Sequence, residues 1–211
     1  MRHPNSPKTL QEGYRRSVWD NLRAHIRNKA LHIAEGDHFF ELASGGLTDW
    51  YIDLRAIMLE RWVRKNAAEL LWDLIGHHFP QCEAIAGPMS GACPILIELQ
   101  NVGEQRGHHE FNVIRVRKEA KDHGVGDLLV GNPKPYQLAV IIEDVITTGG
   151  SAQRADLELT EAGLEVMGYV SIVNRDSLLE IAGRPVRSLF YGKELLERPE
   201  PGDEGSEEFE G

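Results

Sequence analysis

Residues 139–151 read AVIIEDVITTGGS. An apolar run ends in two adjacent carboxylates, Glu143 and Asp144, and continues into a turn of threonine, glycine and serine. A glycine-rich turn entering a helix presents unpaired backbone N–H groups and the positive end of the helix dipole, which together favour a phosphate. Gly149 and Gly150 would let the backbone approach the anion closely, and the hydroxyls of Thr147, Thr148 and Ser151 add donors. The carboxylates repel a phosphate, but they accept hydrogen bonds from sugar hydroxyls or face a cation. A carboxylate pair beside a phosphate cradle therefore points to a ribose phosphate. The stretch has neither the lysine of a Walker turn nor the spacing of a dinucleotide fingerprint. The plainer reading is a strand that ends in two acids and a loop that enters a helix.

A second stretch, VIRVRKEAKDHG, gathers Arg115, Arg117, Lys118, Lys121 and His123 into the densest basic cluster of the chain. Taken alone it reads as a solvated loop. Beside a phosphate cradle it suits a diphosphate, because cations that close over a departing anion stabilise the charge it accumulates. Arg117 can fork onto two phosphate oxygens, Lys118 and Lys121 act as point charges, and His123 can give a proton or a hydrogen bond.

The elements that must position these groups alternate between strand and helix. Leu10, Tyr14, Val18, Leu22 and Ile26 recur every four residues and predict an amphipathic helix over 8–33. FFELAS and WYIDLRAIML read as strands separated by the turn SGGLTD. A helix is expected over 60–78. AIAGPMSGACPILIEL gives a strand, a glycine-rich turn and a helix starting near Cys93, and FNVIRV gives a strand. KEAKDHGVGDLLVGNPKP is long for a loop, which marks it as functional. QLAVIIED is a strand, SAQRADLELTEAG a helix closed by Gly163, Leu164–Val173 a strand and SLFY a last strand. Strands apolar throughout and separated by helices predict an α/β fold with a parallel sheet covered on both faces.

Composition excludes several classes. The 211 residues are 41% hydrophobic and 27% charged, an ordinary profile for one globular domain. No apolar run approaches the ~20 residues of a membrane span, and the start lacks a signal-peptide core. Cys82 and Cys93 are too few for a disulfide framework and lack metal-site spacing; they read as buried thiols in a reducing cytoplasm. From Lys193 onward eight acids face two bases, more than half of the formal net charge of −10, so 193–211 reads as an acidic solvated tail. The remaining body is weakly acidic, which gives no electrostatic support for nucleic-acid binding. His77-His78 and His108-His109 are adjacent pairs without metal-ligand spacing, and the four tryptophans read as core or interface.

The stretch EDVITTGGS closely resembles the phosphoribosyl pyrophosphate (PRPP) signature of type I phosphoribosyltransferases. With RKEAKDHG and FFELASGGLTDWYIDLR it narrows to a resemblance to orotate phosphoribosyltransferases over about residues 35–180. The resemblance implies a central parallel sheet flanked by helices with a small hood. It divides the chain into an N-terminal helical extension over 1–34, a catalytic domain over 35–192 and the tail. It implies transfer of a phosphoribosyl group from PRPP to orotate, with Mg²⁺ held mainly by PRPP and by no side chain alone. A homodimer in which the basic loop serves the neighbouring site is also implied, with no nucleic acid and no membrane.

Residue by residue, the resemblance puts Arg117, Lys118, Lys121 and His123 on pyrophosphate, Lys121 weighing most on rate. It puts Glu143 and Asp144 on the ribose hydroxyls, and Thr147, Thr148, Gly149, Gly150 and Ser151 on the 5′-phosphate. Lys121, His123 and Asp144 are the implied catalytic groups. Arg175 in IVNRDS falls on the family's orotate-binding arginine, with Thr147, Ser44, Gly45, Tyr51 and Ile52 completing the base site. The chain departs from some members at Ala43 and Ser90, where those members have lysine. The backbone N–H groups of Met89, Ser90 and Gly91 would then have to hold the pyrophosphate. Two other readings stay open: a phosphoribosyltransferase for another base, and a PRPP-sensing regulator without activity.

Overall fold

The structure is a computed structural model and describes residues 12–36, 39–41, 46–89, 92–108, 112–118 and 128–197. Helix α1 spans Glu12–Lys29. It stops short of the expected residue 33 because Leu31–Ile33 forms strand β1, which pairs antiparallel with β4, Trp50–Ile52. The turn expected between two strands contributes its own: β2, Phe40–Glu41, pairs with β3, Leu47–Thr48. These short ladders form the hood. After Ile52 the chain leaves the sheet, and a 3₁₀ turn at Ile57–Leu59 leads into α2, Arg61–His78. The long strand expected over WYIDLRAIML therefore ends early.

The central sheet follows. Strand β5, Ala84–Pro88, is followed by α3, Cys93–Gln105, and β6, Asn112–Val116. Then come β7, Leu129–Val130; β8, Leu138–Ile146; α4, Gly150–Glu161; and β9, Glu165–Asn174. The hairpin strand β10, Glu180–Ile181, precedes β11, Arg184–Tyr191, and helix α5, Gly192–Leu196. The spatial order is β10-β11-β9-β8-β5-β6-β7. The five strands from β11 to β6 run parallel, and β10 and β7 add antiparallel edges.

Alternation along β8 feeds two cores. Val140 and Ile142 join the cluster built with α1, α2 and α3, which includes Leu22, Ile26, Leu71 and Leu96. Ala139 and Ile141 join the cluster under α4, with Leu159 and Tyr169. Fully burying one such side chain contributes about 1.5–3 kcal/mol. Trp19 belongs to the first cluster, whereas Trp62 is largely exposed. Cys82 and Cys93 are free and only partly buried, short of the buried thiols expected.

Two ends of the chain are more integrated than their sequences suggest. Val18, Trp19, Leu22 and Ile26 of α1 lie in the same core as the sheet. Helix α5 reaches into the segment read as acidic tail: Leu195 is fully buried, and Arg23 of α1 donates to the Glu194 carbonyl. Arg27 donates to the Glu197 carbonyl at 2.5 Å. The packed body thus continues past Lys193.

Candidate active site

The parallel strands bring their carboxyl ends to one edge, and the residues that could do chemistry arrive there by three routes. Strand β8 delivers Glu143 and Asp144. The turn after it enters α4 through Gly149, whose φ of 79° lies in the left-handed region, where an L side chain is strained. A Cβ there would also sit 2.7 Å from Ile181 Cδ1 on the β10 hairpin. Gly149 is thus fixed by conformation and by space. The first turn of α4 has no capping side chain, so its backbone N–H groups stay open to an anion. Thr148, Gly150 and Ser151 are exposed, and Thr147 is half-buried.

Helix α4 is held to the sheet by a buried carboxylate. Asp156, 3% exposed, accepts from the Tyr169 hydroxyl, from Thr160 Oγ1 at 3.1 Å and from Arg184 Nη1 at 2.9 Å. Burial, followed by the hydrogen bond to Asp156, raises the Tyr169 pKa above its usual value, keeping it a donor. The clamp anchors the helix that the glycine-rich turn enters, and nothing in the sequence pattern marks it.

Glu143 and Asp144 are neighbours in sequence and differ in surroundings. Glu143 is 5% exposed. Burial, and then the adjacent Asp144 charge, push its pKa up to about 8 against opposing attraction from Arg154 and Lys118. Burial thus favours the protonated carboxyl, which can donate as well as accept. Asp144 is half-buried and also raised, first by desolvation, with Asp53 adding to the rise and Arg55 opposing it. It lines an open pocket of about 190 Å³ with Tyr51, Ile52, Asp53, Arg55 and Val145. The two carboxylates thus face two sides of the site.

On the first side, Arg117 and Lys118 leave the end of β6, and the Arg117 N–H donates to the Leu128 carbonyl at 2.8 Å, closing the base of the basic loop. Leu129 and Val130 pair with Val116 and Arg115, so part of the expected loop is strand and Arg115 lies within a ladder. Arg117, Lys118, Ser151 and Arg154 line a pocket of about 90 Å³. Arg154, which sequence reasoning missed, lies three residues beyond Ser151 and donates to its hydroxyl at 3.4 Å. The i,i+3 spacing in a helix entered through TTGGS could have flagged it. Lys121 and His123 lie outside the described residues.

On the second side, Tyr51 is stacked on His32 at 4.6 Å and meets Phe40 edge-on at 4.6 Å. His32 and Phe40 were not singled out by sequence; the β1–β4 ladder sets His32 opposite Tyr51, and Phe40 reaches the same ring from the separate β2–β3 ladder. Arg175 follows β9, and its N–H donates to the Ile146 carbonyl at 2.8 Å. Its side chain is 9% exposed, so it is not a surface residue. Nε and Nη2 bond Asp176 at 2.6 and 3.1 Å, and the guanidinium lies 6.0 Å from the Trp50 ring centroid. Of its five N–H donors, three are not engaged by that pair. Gly192 backs this turn, since a Cβ there would collide with the Arg175 carbonyl and the Trp50 ring. Asn174 completes it, exchanging bonds with Leu178 at 2.8 and 3.0 Å.

One expectation is corrected. The Met89 N–H, assigned to pyrophosphate, donates to the Val116 carbonyl at 2.7 Å. Strand pairing between β5 and β6 continues one residue past Pro88 and spends that donor. Ser90 and Gly91, like Ser44 and Gly45, lie outside the described residues. A larger cavity, about 620 Å³, lies between α1 and α2, lined by Tyr14, Arg15 and Trp62 among others; cavity size does not locate the chemistry. Among the described residues no group of three or more His, Cys, Asp or Glu side chains could hold a metal, and no helix is long and apolar enough to cross a membrane.

A mostly parallel sheet with a glycine-rich turn opening α4, an acidic pair before it and a hood define a type I phosphoribosyltransferase. No family model matches the chain. It is 34% identical over 167 residues to the orotate phosphoribosyltransferase of Sorangium cellulosum, covering 76% of this chain and 86% of that one. It is 32% identical over 184 residues to the Aquifex aeolicus enzyme of the same name, covering 84% and 97%. The fold is similar to a crystal structure of Mycobacterium tuberculosis orotate phosphoribosyltransferase in complex with Fe(III) dicitrate. There the TM-score is 0.66 at 25% identity, covering 84% of this chain and 98% of that one. The chain belongs to the orotate phosphoribosyltransferase family.

Proposed function

We propose that the protein transfers the phosphoribosyl group of PRPP to orotate, releasing pyrophosphate and forming orotidine 5′-monophosphate for pyrimidine synthesis in the cytoplasm. The observation that carries this reading is the convergence, on one sheet edge, of the open N-terminus of α4, Asp144, and the buried Arg175 beside the hood. In this reading the 5′-phosphate sits on the Thr147–Ser151 turn. Asp144 accepts from a ribose hydroxyl, and neutral Glu143 can donate to one or accept from one. Arg117, Lys118, Lys121 and His123 receive the charge that leaves with the pyrophosphate as the C1′–O bond breaks. Orotate lies against Tyr51 and Ile52; Thr147, Ser44 and Gly45 are assigned to it by the family resemblance alone, and its anionic edge takes the open donors of Arg175. Mg²⁺, which combines readily with phosphates and one or two carboxylates, would travel on PRPP and neutralise the leaving group.

Turnover of orotate, followed by loss of ultraviolet absorbance with uracil, adenine and hypoxanthine in parallel, tests the proposal. Orotate alone should react; turnover of a purine instead, or of none of the four, would overturn it. The homodimer belongs to the same proposal: the loop that begins at Arg117 serves the neighbouring subunit. Mixing Lys121→Ala with Asp144→Asn should restore part of the activity through hybrid dimers with one intact site. Exchange of subunits without recovery would place the loop over its own site.

A further inference from the structure

The motif YIDLR, read from sequence as part of the family signature, carries two charged residues that the mechanism above does not use. Asp53 and Arg55 follow β4 where the chain leaves the hood. Arg55 Nε bonds Asp53 Oδ1 at 2.8 Å and Nη2 bonds Oδ2 at 2.5 Å, while the Arg55 N–H reaches Oδ1 at 3.0 Å. Both carboxylate oxygens are therefore engaged, one of them twice. The pair lines the same open pocket as Asp144, beside Tyr51. Two carboxylates in one pocket repel, and an unpaired Asp53 would compete with Asp144 for protons and cations. A bidentate guanidinium offsets part of that charge and holds it in place.

We infer that Asp53 and Arg55 form a positioning pair that leaves Asp144, of the two acids lining their shared pocket, as the one without a guanidinium partner. Neither residue needs to touch substrate. The inference rests on the reading of Asp144 as a ribose acceptor. The charged groups around Asp144 are consistent with it. Asp53 and Arg55 act from the hood, and Glu143 is the adjacent acid, itself attracted by Lys118 and Arg154. His32 on β1 acts on Asp53. Of these, the Asp53–Arg55 pair is the one that meets Asp144 across a shared pocket.

The test is the pH dependence of kcat/KM for PRPP, with PRPP affinity measured across pH in the same proteins so that the outcome does not depend on turnover of orotate. Arg55→Gln leaves Asp53 charged beside Asp144, so Asp144 should hold its proton to higher pH and the acid limb should move up by about half a unit or more. Asp53→Asn should move it down. The double variant, with both charges gone, should return close to wild type. A pair that serves only to shape the local turn makes the opposite claim, because the double variant loses every clamping bond and should be at least as impaired as Arg55→Gln. An Arg55→Gln profile that superimposes on wild type, or a double variant no better than the single, overturns the inference. A rise in KM for orotate without a shift of the acid limb also overturns it, because it makes Arg55 a direct contact of the base.

Discussion

Glu143 and Asp144 are separated by one peptide bond, yet they belong to different halves of the site. Glu143 is buried toward α4, where Arg154 and Lys118 oppose the rise that burial and Asp144 impose on its pKa, pushed up to about 8. Asp144 opens to the hood, in a pocket with Tyr51 and the Asp53–Arg55 pair. Period-two alternation in a strand sends adjacent side chains to opposite faces, and here the faces carry different chemistry: the α4 side gathers cations for anions, and the hood side offers an acceptor and an aromatic stack. An acidic dipeptide at a strand end is thus better read as two residues than as one motif.

The largest expected effect falls on the cationic half. Lys121→Ala should lower kcat by about 10²-fold or more, the scale for losing one well-placed charge-stabilising donor. A kcat within twofold of wild type would remove Lys121 from the chemistry. Next comes the contrast between the two acids. Glutamine mimics a protonated glutamate, so Glu143→Gln should cost little at pH 7, whereas Asp144→Asn replaces a carboxylate acceptor with an amide on the hood side. The loss in kcat/KM should be roughly tenfold or more greater for Asp144→Asn, on the scale of a charged hydrogen bond. Equal losses would erase the distinction between the halves.

Arg175→Ala should raise the KM for orotate by about tenfold, consistent with about 1.5–3 kcal/mol for a charged hydrogen bond, and change that for PRPP much less. Uracil, which lacks the carboxylate, should remain a poor substrate of the wild type. A variant impaired only toward PRPP would move Arg175 to the phosphate side.

A last effect, outside catalysis, is on stability. Glu143 binds its proton more tightly folded than unfolded, so the unfolded state binds fewer protons than the folded state between about pH 4.5 and 8. Folding stability should therefore fall as pH rises through that window, by an amount on the order of a few kcal/mol. Thermal unfolding of ligand-free protein against pH should show this slope, and Glu143→Gln should flatten it.

The sequence was most informative where one segment supplied its own evidence. The β8 strand, the turn at Gly149, helix α4 and its close at Gly163 are all legible in AVIIEDVITTGGSAQRADLELTEAG, because alternation, positive φ and helical spacing are local. Legibility failed where a partner decides. Leu31–Ile33 continues a helical pattern, but β4 captures it as a strand. Leu129–Val130 looks like loop until β6 pairs with it. Most of α5 falls in the stretch from Lys193 that reads as an acidic tail, yet Leu195 has a core position waiting beside α1. At the site, Glu143, Asp144 and Arg175 could be named from their motifs. The donor assigned to Met89 could not be corrected without knowing that β6 takes it, and Arg154, His32 and the Asp53–Arg55 clamp gain meaning only from what the fold sets beside them.

The division of the site is tested most directly by following the two carboxyl groups themselves. Side-chain ¹³C chemical shifts of Glu143 and Asp144 in ligand-free protein, assigned with Glu143→Gln and Asp144→Asn and recorded from pH 3 to 10, report each titration. Glu143 should change near pH 8, and Asp144 should titrate separately, at a pH raised above that of an ordinary aspartate. A Glu143 midpoint close to 4.5, or two groups that titrate together as one solvent-exposed pair, would contradict it.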